Sequence, residues 1–227
     1  MIARVLACLA AVLAGGAAVA QVPPSASEIA GYEGLHAAAA AGDAAAIRQL
    51  VAEGAELEAR DRRGRTAVHV AAFASEAEAL RALAEAGADM NALEGQAYDA
   101  VTITAVADDP EIMSLAIALG NDPGLVTSPY DGTALIAAAH LGHAEVVRRL
   151  IAAGAPLDHV NNLGWTALIE SVVLGDGGPD HQAVARALLA AGADPELGDR
   201  QGATPLALAE ARGYAEMAAI LRAAGAE

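Results

Sequence analysis

One period governs this chain. A glycine followed by a small residue or asparagine recurs at Gly54-Ala55, Gly87-Ala88, Gly120-Asn121, Gly154-Ala155, Gly192-Ala193 and Gly225-Ala226, at spacings of 33, 33, 34, 38 and 33 residues. A second landmark, formed by Thr66, Asp99, Thr133, Thr166 and Thr204, recurs at spacings of 33, 34, 33 and 38. Two independent features thus report the same period and the same single insertion. Each has a physical role. A Thr or Asp ahead of an apolar run caps a helix, its side-chain oxygen accepting an orphan backbone N–H. Glycine at the far end reaches the left-handed conformation that stops one. Between the two lie a short Ala-rich helix, a turn, and a second helix with Val, Leu and Ile at helical spacing. One such pair cannot bury its apolar faces, whereas a stack of them can. The expected fold class is therefore an all-α solenoid of about six helix-turn-helix repeats joined by short hairpin turns.

Composition fits thin stacked helices better than one thick core. Apolar residues make up 55% of the 227, but aromatics only 3%, and much of the apolar share is alanine, the best helix former. Net charge is −16, and all 13 basic residues are arginine. An acidic chain is repelled by phosphate backbones and anionic membranes. Nucleic acid is thus not an expected partner, and a basic patch on another protein fits better.

The first twenty residues read differently. Arg4 precedes an apolar run from Val5 to Leu13, and small residues then lead to Ala18-Val19-Ala20 before Gln21. That is the anatomy of a secretory signal peptide cleaved after Ala20. A spanning helix needs roughly 20 strongly apolar residues, so no stable membrane anchor is expected. Cys8, the single cysteine, lies inside this leader, so the exported chain has no thiol or disulfide, as suits an oxidising compartment. The expected organisation is a signal peptide over 1–20, a flexible lead-in over 21–27 with Pro23-Pro24, and a repeat domain over 28–227. Its repeats lie near 28–60, 61–93, 94–127, 128–160, 161–198 and 199–227. A periplasmic or secreted location follows.

Within the repeats, Gly64-Arg65-Thr66-Ala67-Val68-His69-Val70-Ala71-Ala72 resembles the ankyrin opening G-x-T-P-L-H-x-A-A, as do Gly164-Trp165-Thr166-Ala167-Leu168 and Gly202-Ala203-Thr204-Pro205-Leu206. The stretch from Leu141-Gly142-His143 to Arg149-Leu150, followed by Gly154-Ala155, resembles the ankyrin second helix and closing turn. Only Thr204 is followed by proline. The third repeat has Asp99-Ala100-Val101-Thr102 in place of Thr-Pro-Leu-His, and the first keeps Leu35-His36-Ala37 but lacks the Gly-x-Thr turn. The resemblance implies partner binding through the hairpin tips and the exposed face of each first helix. It also implies that His36 and His69 hydrogen-bond between repeats and that His143 sits in the turn before a second helix.

In that register the contact residues are Arg62, Arg63 and Arg65 at the second tip with Phe73 on its helix, and Tyr98 at the third tip. Tyr130 at the fourth with His140 on its helix, and Asn162, Leu163 and Trp165 at the fifth, complete the set. The set holds the only Trp and the only Phe of the chain, and aromatic and Arg side chains are the usual energetic anchors of interfaces. One residue breaks an apolar column. Glu170 stands where other repeats have Val70, Ile103, Ala137 and Leu208, and a carboxylate there is costly unless bonded. Two readings stand: Glu170 accepts backbone N–H groups from the insertion around Gly175–His181, or Glu170, Asp176, Asp180 and His181 form a small ion site. No HExxH, GxSxG, P-loop or cysteine cluster is present, so no catalytic residue, metal or cofactor is nominated. The expected function is a non-enzymatic, monomeric scaffold that binds another protein. The alternative is an ion- or small-ligand-binding protein using Glu170 and the Asp176–His181 loop.

Overall fold

A computed structural model describes residues 21–226. The signal peptide expected over 1–20 lies outside the described residues. Among these, thirteen helices follow one another with no strand. A short α1 (Ala26–Ala30) precedes six helix pairs: α2 (Gly34–Ala40) with α3 (Ala44–Ala52), α4 (Ala67–Phe73) with α5 (Ala77–Glu85), and α6 (Ala100–Val106) with α7 (Pro110–Ala118). The remaining pairs are α8 (Ala134–Leu141) with α9 (Ala144–Ala152), α10 (Ala167–Val173) with α11 (Pro179–Ala190), and α12 (Pro205–Ala211) with α13 (Ala215–Ala223). First helices pack on first helices and second on second along the stack.

The repeat chemistry explains the architecture. Thr133, Thr166 and Thr204 accept the N–H three residues on, at 3.2–3.3 Å. A column of small residues (Ala38, Ala71, Thr104, Ala138, Ser171 and Ala209) is buried on the first helices and lets neighbouring helices approach. Its two hydroxyls bond back to their own helix, Thr104 to the Ala100 carbonyl and Ser171 to that of Leu168, both at 2.8 Å, so neither is left unsatisfied. The second helices supply bulk, with Ile47, Leu80, Leu83, Met113, Leu150, Leu188 and Met217 all fully enclosed.

The departures in the third repeat are compensated locally. Asp99 caps α6 through Thr102 N–H at 2.8 Å, and its other oxygen accepts from Asn121 Nδ2 at 2.8 Å. Asn121 is the residue that replaces alanine in the closing Gly-Ala pair of this repeat alone. Ala97 occupies the turn position of Gly64, with φ 61° against 77° for the glycine. A Cβ there costs about 1 kcal/mol in the left-handed region.

Two expectations about boundaries change. The lead-in was expected to be flexible up to residue 27, but Ser25 caps α1, with Glu28 returning the bond to Ser25 N at 2.8 Å. Arg65 Nη1 reaches the Val22 carbonyl at 3.3 Å. The insertion is not all loop either. Pro179 starts α11, at a position where proline is tolerated, and the helix runs for 12 residues where its counterparts run for 9.

Candidate partner-binding face

Each hairpin turn is held by one polar side chain that accepts two backbone N–H groups. Asp61 takes those of Arg63 and Arg65, Glu94 those of Gln96 and Tyr98, and Ser128 those of Tyr130 and Gly132. Asn161 takes those of Leu163 and Trp165, and Asp199 those of Gln201 and Ala203. Adjacent tips are also tied through the main chain: Gly95 N to Arg63 O at 2.9 Å, Ser128 N to Ala97 O at 2.7 Å, and Asn162 N to Tyr130 O at 2.8 Å. Asn162 Nδ2 adds a bond to Pro129 O at 3.1 Å. The tips therefore form one rigid row rather than independent loops, which reduces the ordering cost of binding.

Two predicted contact residues are not on that row's surface. Arg65 is 1% exposed, with its guanidinium on Asp61 at 2.7 Å and on Glu28 at 2.7 Å. Tyr98 is 7% exposed and belongs to the apolar core. Both occupy the position just before the helix cap, where Arg65 is drawn in by Asp61, Glu28 and the Val22 carbonyl and Tyr98 by apolar packing. Trp165, in the same column, is half-buried against the core, as is Phe73. Arg62 and Arg63 are exposed, although Arg63 Nε also reaches Glu28 at 3.2 Å. Tyr130, Asn162 and His140 are exposed and Leu163 half-exposed. The structure adds two residues that motif matching did not nominate: Val126 and Val160, on the arms of the fourth and fifth hairpins, the latter 50% exposed. With Tyr130 and Leu163 they concentrate exposed apolar surface at repeats four and five. β-branched residues outside any helix were the available signal.

The histidines behave as the resemblance implies. Both Thr66 N–H and its hydroxyl point at His69 Nδ1, so Nε2 carries the proton and donates to the Tyr98 carbonyl of the next repeat at 3.1 Å. Burial keeps His69 neutral, its pKa lowered to about 4. His36 Nε2 donates to Arg65 O at 2.8 Å, and His143 Nδ1 to Ala105 O at 2.9 Å.

Glu170 is not held by the insertion. Its carboxyl turns to the hairpin side, where Asn161 Nδ2 donates to Oε1 at 2.9 Å. The loop instead finds its own supports: His181 bridges Asp176 at 3.1 Å and the His140 carbonyl at 2.9 Å, and the Tyr214 hydroxyl reaches Gly175 O at 3.2 Å. Asp176, Asp180 and His181 do not converge on Glu170. Among the described residues no group of three or more His, Cys, Asp or Glu could hold a metal ion. Glu170 is 3% exposed, and burial raises its pKa to about 7, opposed by the Asn161 bond. Its second oxygen has no hydrogen-bond partner and lies 3.8 Å from His140 Nδ1.

Comparison with known proteins places this geometry. The model of ankyrin repeats in three copies matches residues 8–94 and 102–199. An ankyrin repeat domain from Acinetobacter baumannii AYE has a TM-score of 0.79 and 43% identity, over 85% of this chain and 98% of that one. The ankyrin repeat protein YahD of Escherichia coli (strain K12) is 42% identical over 49% of this chain, a match that spans 57% of YahD. A chain from the complex of the Bd0816 predatory endopeptidase of Bdellovibrio bacteriovorus with the immunity protein Bd3460 has a TM-score of 0.70 at 22% identity, over 85% of this chain and 98% of that one. That last likeness is one of fold. The period, the caps, the inter-repeat histidines and these matches agree, and the chain belongs to the ankyrin-repeat family.

Proposed function

We propose that this protein is an exported, non-enzymatic interaction module that binds another protein across the hairpin tips and first helices of repeats four and five. Ankyrin repeats in general mediate protein–protein interaction. The observation that carries the reading is the rigid tip row, with exposed Tyr130, Asn162 and Val160 beside half-exposed Leu163. The apolar and aromatic character of that strip suits an interface core, while the net charge of −16 favours a basic partner. The neighbour that was solved as an endopeptidase–immunity protein complex illustrates a protein-bound assembly in this fold class. Export rests on the leader-like sequence of residues 1–20. Among the described residues no helix is long and apolar enough to cross a membrane.

The test is a crosslinking capture from periplasmic extract with wild type and a Tyr130→Ala, Leu163→Ala variant. These residues are preferable to Trp165, whose half-buried ring also packs on the core. Removing both anchors should weaken capture by about 2 kcal/mol or more, with the variant's melting temperature unchanged. Equal capture by both proteins would exclude this face.

A further inference from the structure

The inner face between repeats four and five holds a side chain that the stack does not need. The equivalent positions are Val70, Ile103, Ala137 and Leu208, and an apolar residue serves the packing there. Among the described residues only two buried side-chain polar atoms lack a hydrogen bond, Gln21 Nε2 and Glu170 Oε2. A sealed carboxyl oxygen without a hydrogen-bond partner is costly in either protonation state, so this oxygen marks an incomplete site.

The surroundings are built around it. The hairpin position that is Asp61 and Asp199 in two other repeats is Asn161 in this one. All three side chains hold their turns alike. Only the amide, however, has a donor left over, and it is spent on Glu170 Oε1. An Asp there would set two carboxylates against each other. The asparagine fixes the carboxylate and leaves Oε2 as the open acceptor. His140, which stands 3.8 Å from Oε2, is too distant for a hydrogen bond. Its side chain is 48% exposed, and no hydrogen bond ties its ring to Glu170.

We propose that this is a single-cation subsite: Glu170 Oε2 accepts an N–H of an ammonium or guanidinium head group inserted by the protein partner, with Asn161 orienting the carboxylate and His140 as a movable cover. The inference rests on the partner-binding reading above and names the chemistry of one contact within it. An anion is excluded by the acceptor and by the acidic chain around it. A metal ion lacks ligands, since among the described residues no other carboxylate or cysteine joins Glu170 and His140. Charge-assisted N–H bonds to a carboxylate are strong ones, and a buried acceptor prepared in advance loses little on binding. The titratable group that faces the pair is His140 on α8, while His181 on α11 bonds the His140 carbonyl and Asp176 of the loop before it. At the end of α12, Arg212 is directed to the Val173 and Leu208 carbonyls. Because Glu170 must be ionised to receive a cation, occupancy rises with pH.

N-acetyl-arginine methylamide and N-acetyl-lysine methylamide, with the norleucine analogue as the uncharged control, can be titrated into the full chain. The Asn161 side-chain amide and the His140 ring are followed by NMR at about pH 8, above the Glu170 midpoint. The expected result is a saturable shift with one or both cationic probes and none with norleucine. In Glu170→Gln, which keeps the Asn161 bond, the affinity should fall about tenfold or more, and His140→Ala should bind as well as or better than wild type. The two cationic arms decide between a lysine-like and an arginine-like head group. Shifts that persist in Glu170→Gln, or no saturable shift from either cation, would overturn the subsite. The periplasmic capture separates the two claims. Capture retained in Glu170→Gln but lost in Tyr130→Ala, Leu163→Ala defeats the subsite alone, whereas capture retained in both defeats the interface as well.

Discussion

A carboxyl group that keeps its proton up to about pH 7 has a measurable effect on stability. Unfolded, Glu170 releases that proton near its ordinary value of 4.5. Between those two values the folded chain binds more protons than the unfolded one, so stability falls as pH rises through the window. The contribution is fully present below 4.5 and gone above about 7. Glu170→Gln removes the charge and keeps the Asn161 contact. It should therefore stabilise the protein at alkaline pH by on the order of 2–3 kcal/mol and make little difference near pH 4. Urea melts of both proteins across that range would measure this. Parallel pH dependences would show that Glu170 ionises freely in the folded chain. A residue kept at such a cost is more readily explained by binding than by packing.

At the scale of the element, what could be read from the sequence was set by how local its physics is. Helix caps, closing glycines and the apolar column act within one repeat, so Thr66, Thr133, Thr166 and Thr204 were legible as helix starts. The direction of a side chain at a hairpin is not local. Arg65 and Tyr98 share the motif position of Trp165, yet Arg65 is drawn in by Glu28 and the Val22 carbonyl and Tyr98 by the apolar core, while the indole stays half-exposed. Nor did any motif link Asn161 to Glu170, nine residues apart, because their pairing depends on the hairpin folding against its own helix.

Arg65 shows what the element gains. It joins Asp61 of its own turn to Glu28 on α1 and to the Val22 carbonyl, while the Tyr32 hydroxyl donates to Asp61 at 2.8 Å. The Ser25 cap bonds hold the Glu28 carboxyl down to about 2. Asp61 is also lowered to about 2, burial being outweighed by the Arg65 N–H, the Tyr32 hydroxyl and the guanidinium. Arg65→Ala leaves a partly buried carboxylate short of its cation, and the expected loss is about 3 kcal/mol. It should also undock α1. Hydrogen exchange would show faster exchange over residues 26–32 with α8 to α13 unchanged. Unaltered protection at α1 would mean that the helix docks by its apolar contacts alone.

The whole molecule is a one-dimensional stack in which each repeat is stabilised by its neighbours. Among the described residues only the final pair, α12 and α13, covers the far side of α10 and α11. Deleting residues 193–227 would bare the apolar face formed by Val172, Val184 and Leu188, now fully enclosed. It would also remove Tyr214, whose hydroxyl bonds Gly175 O, and Arg212, which reaches the Val173 carbonyl. Exposing several Val and Leu side chains costs about 1.5–3 kcal/mol each. At this chain length that corresponds to a melting temperature lower by about 10 °C or more. Because coupling passes only between neighbours, the damage should be graded. Exchange protection should collapse in α10 and α11, weaken in α8 and α9, and remain near wild type in α2 to α5. The Glu170 pair lies in the zone that loosens first, so the truncated chain should lose the cation response before it loses its N-terminal repeats. A uniform loss of protection along the chain would instead describe one global cooperative unit, and a deletion that melts like the full chain would show that the last repeat caps nothing.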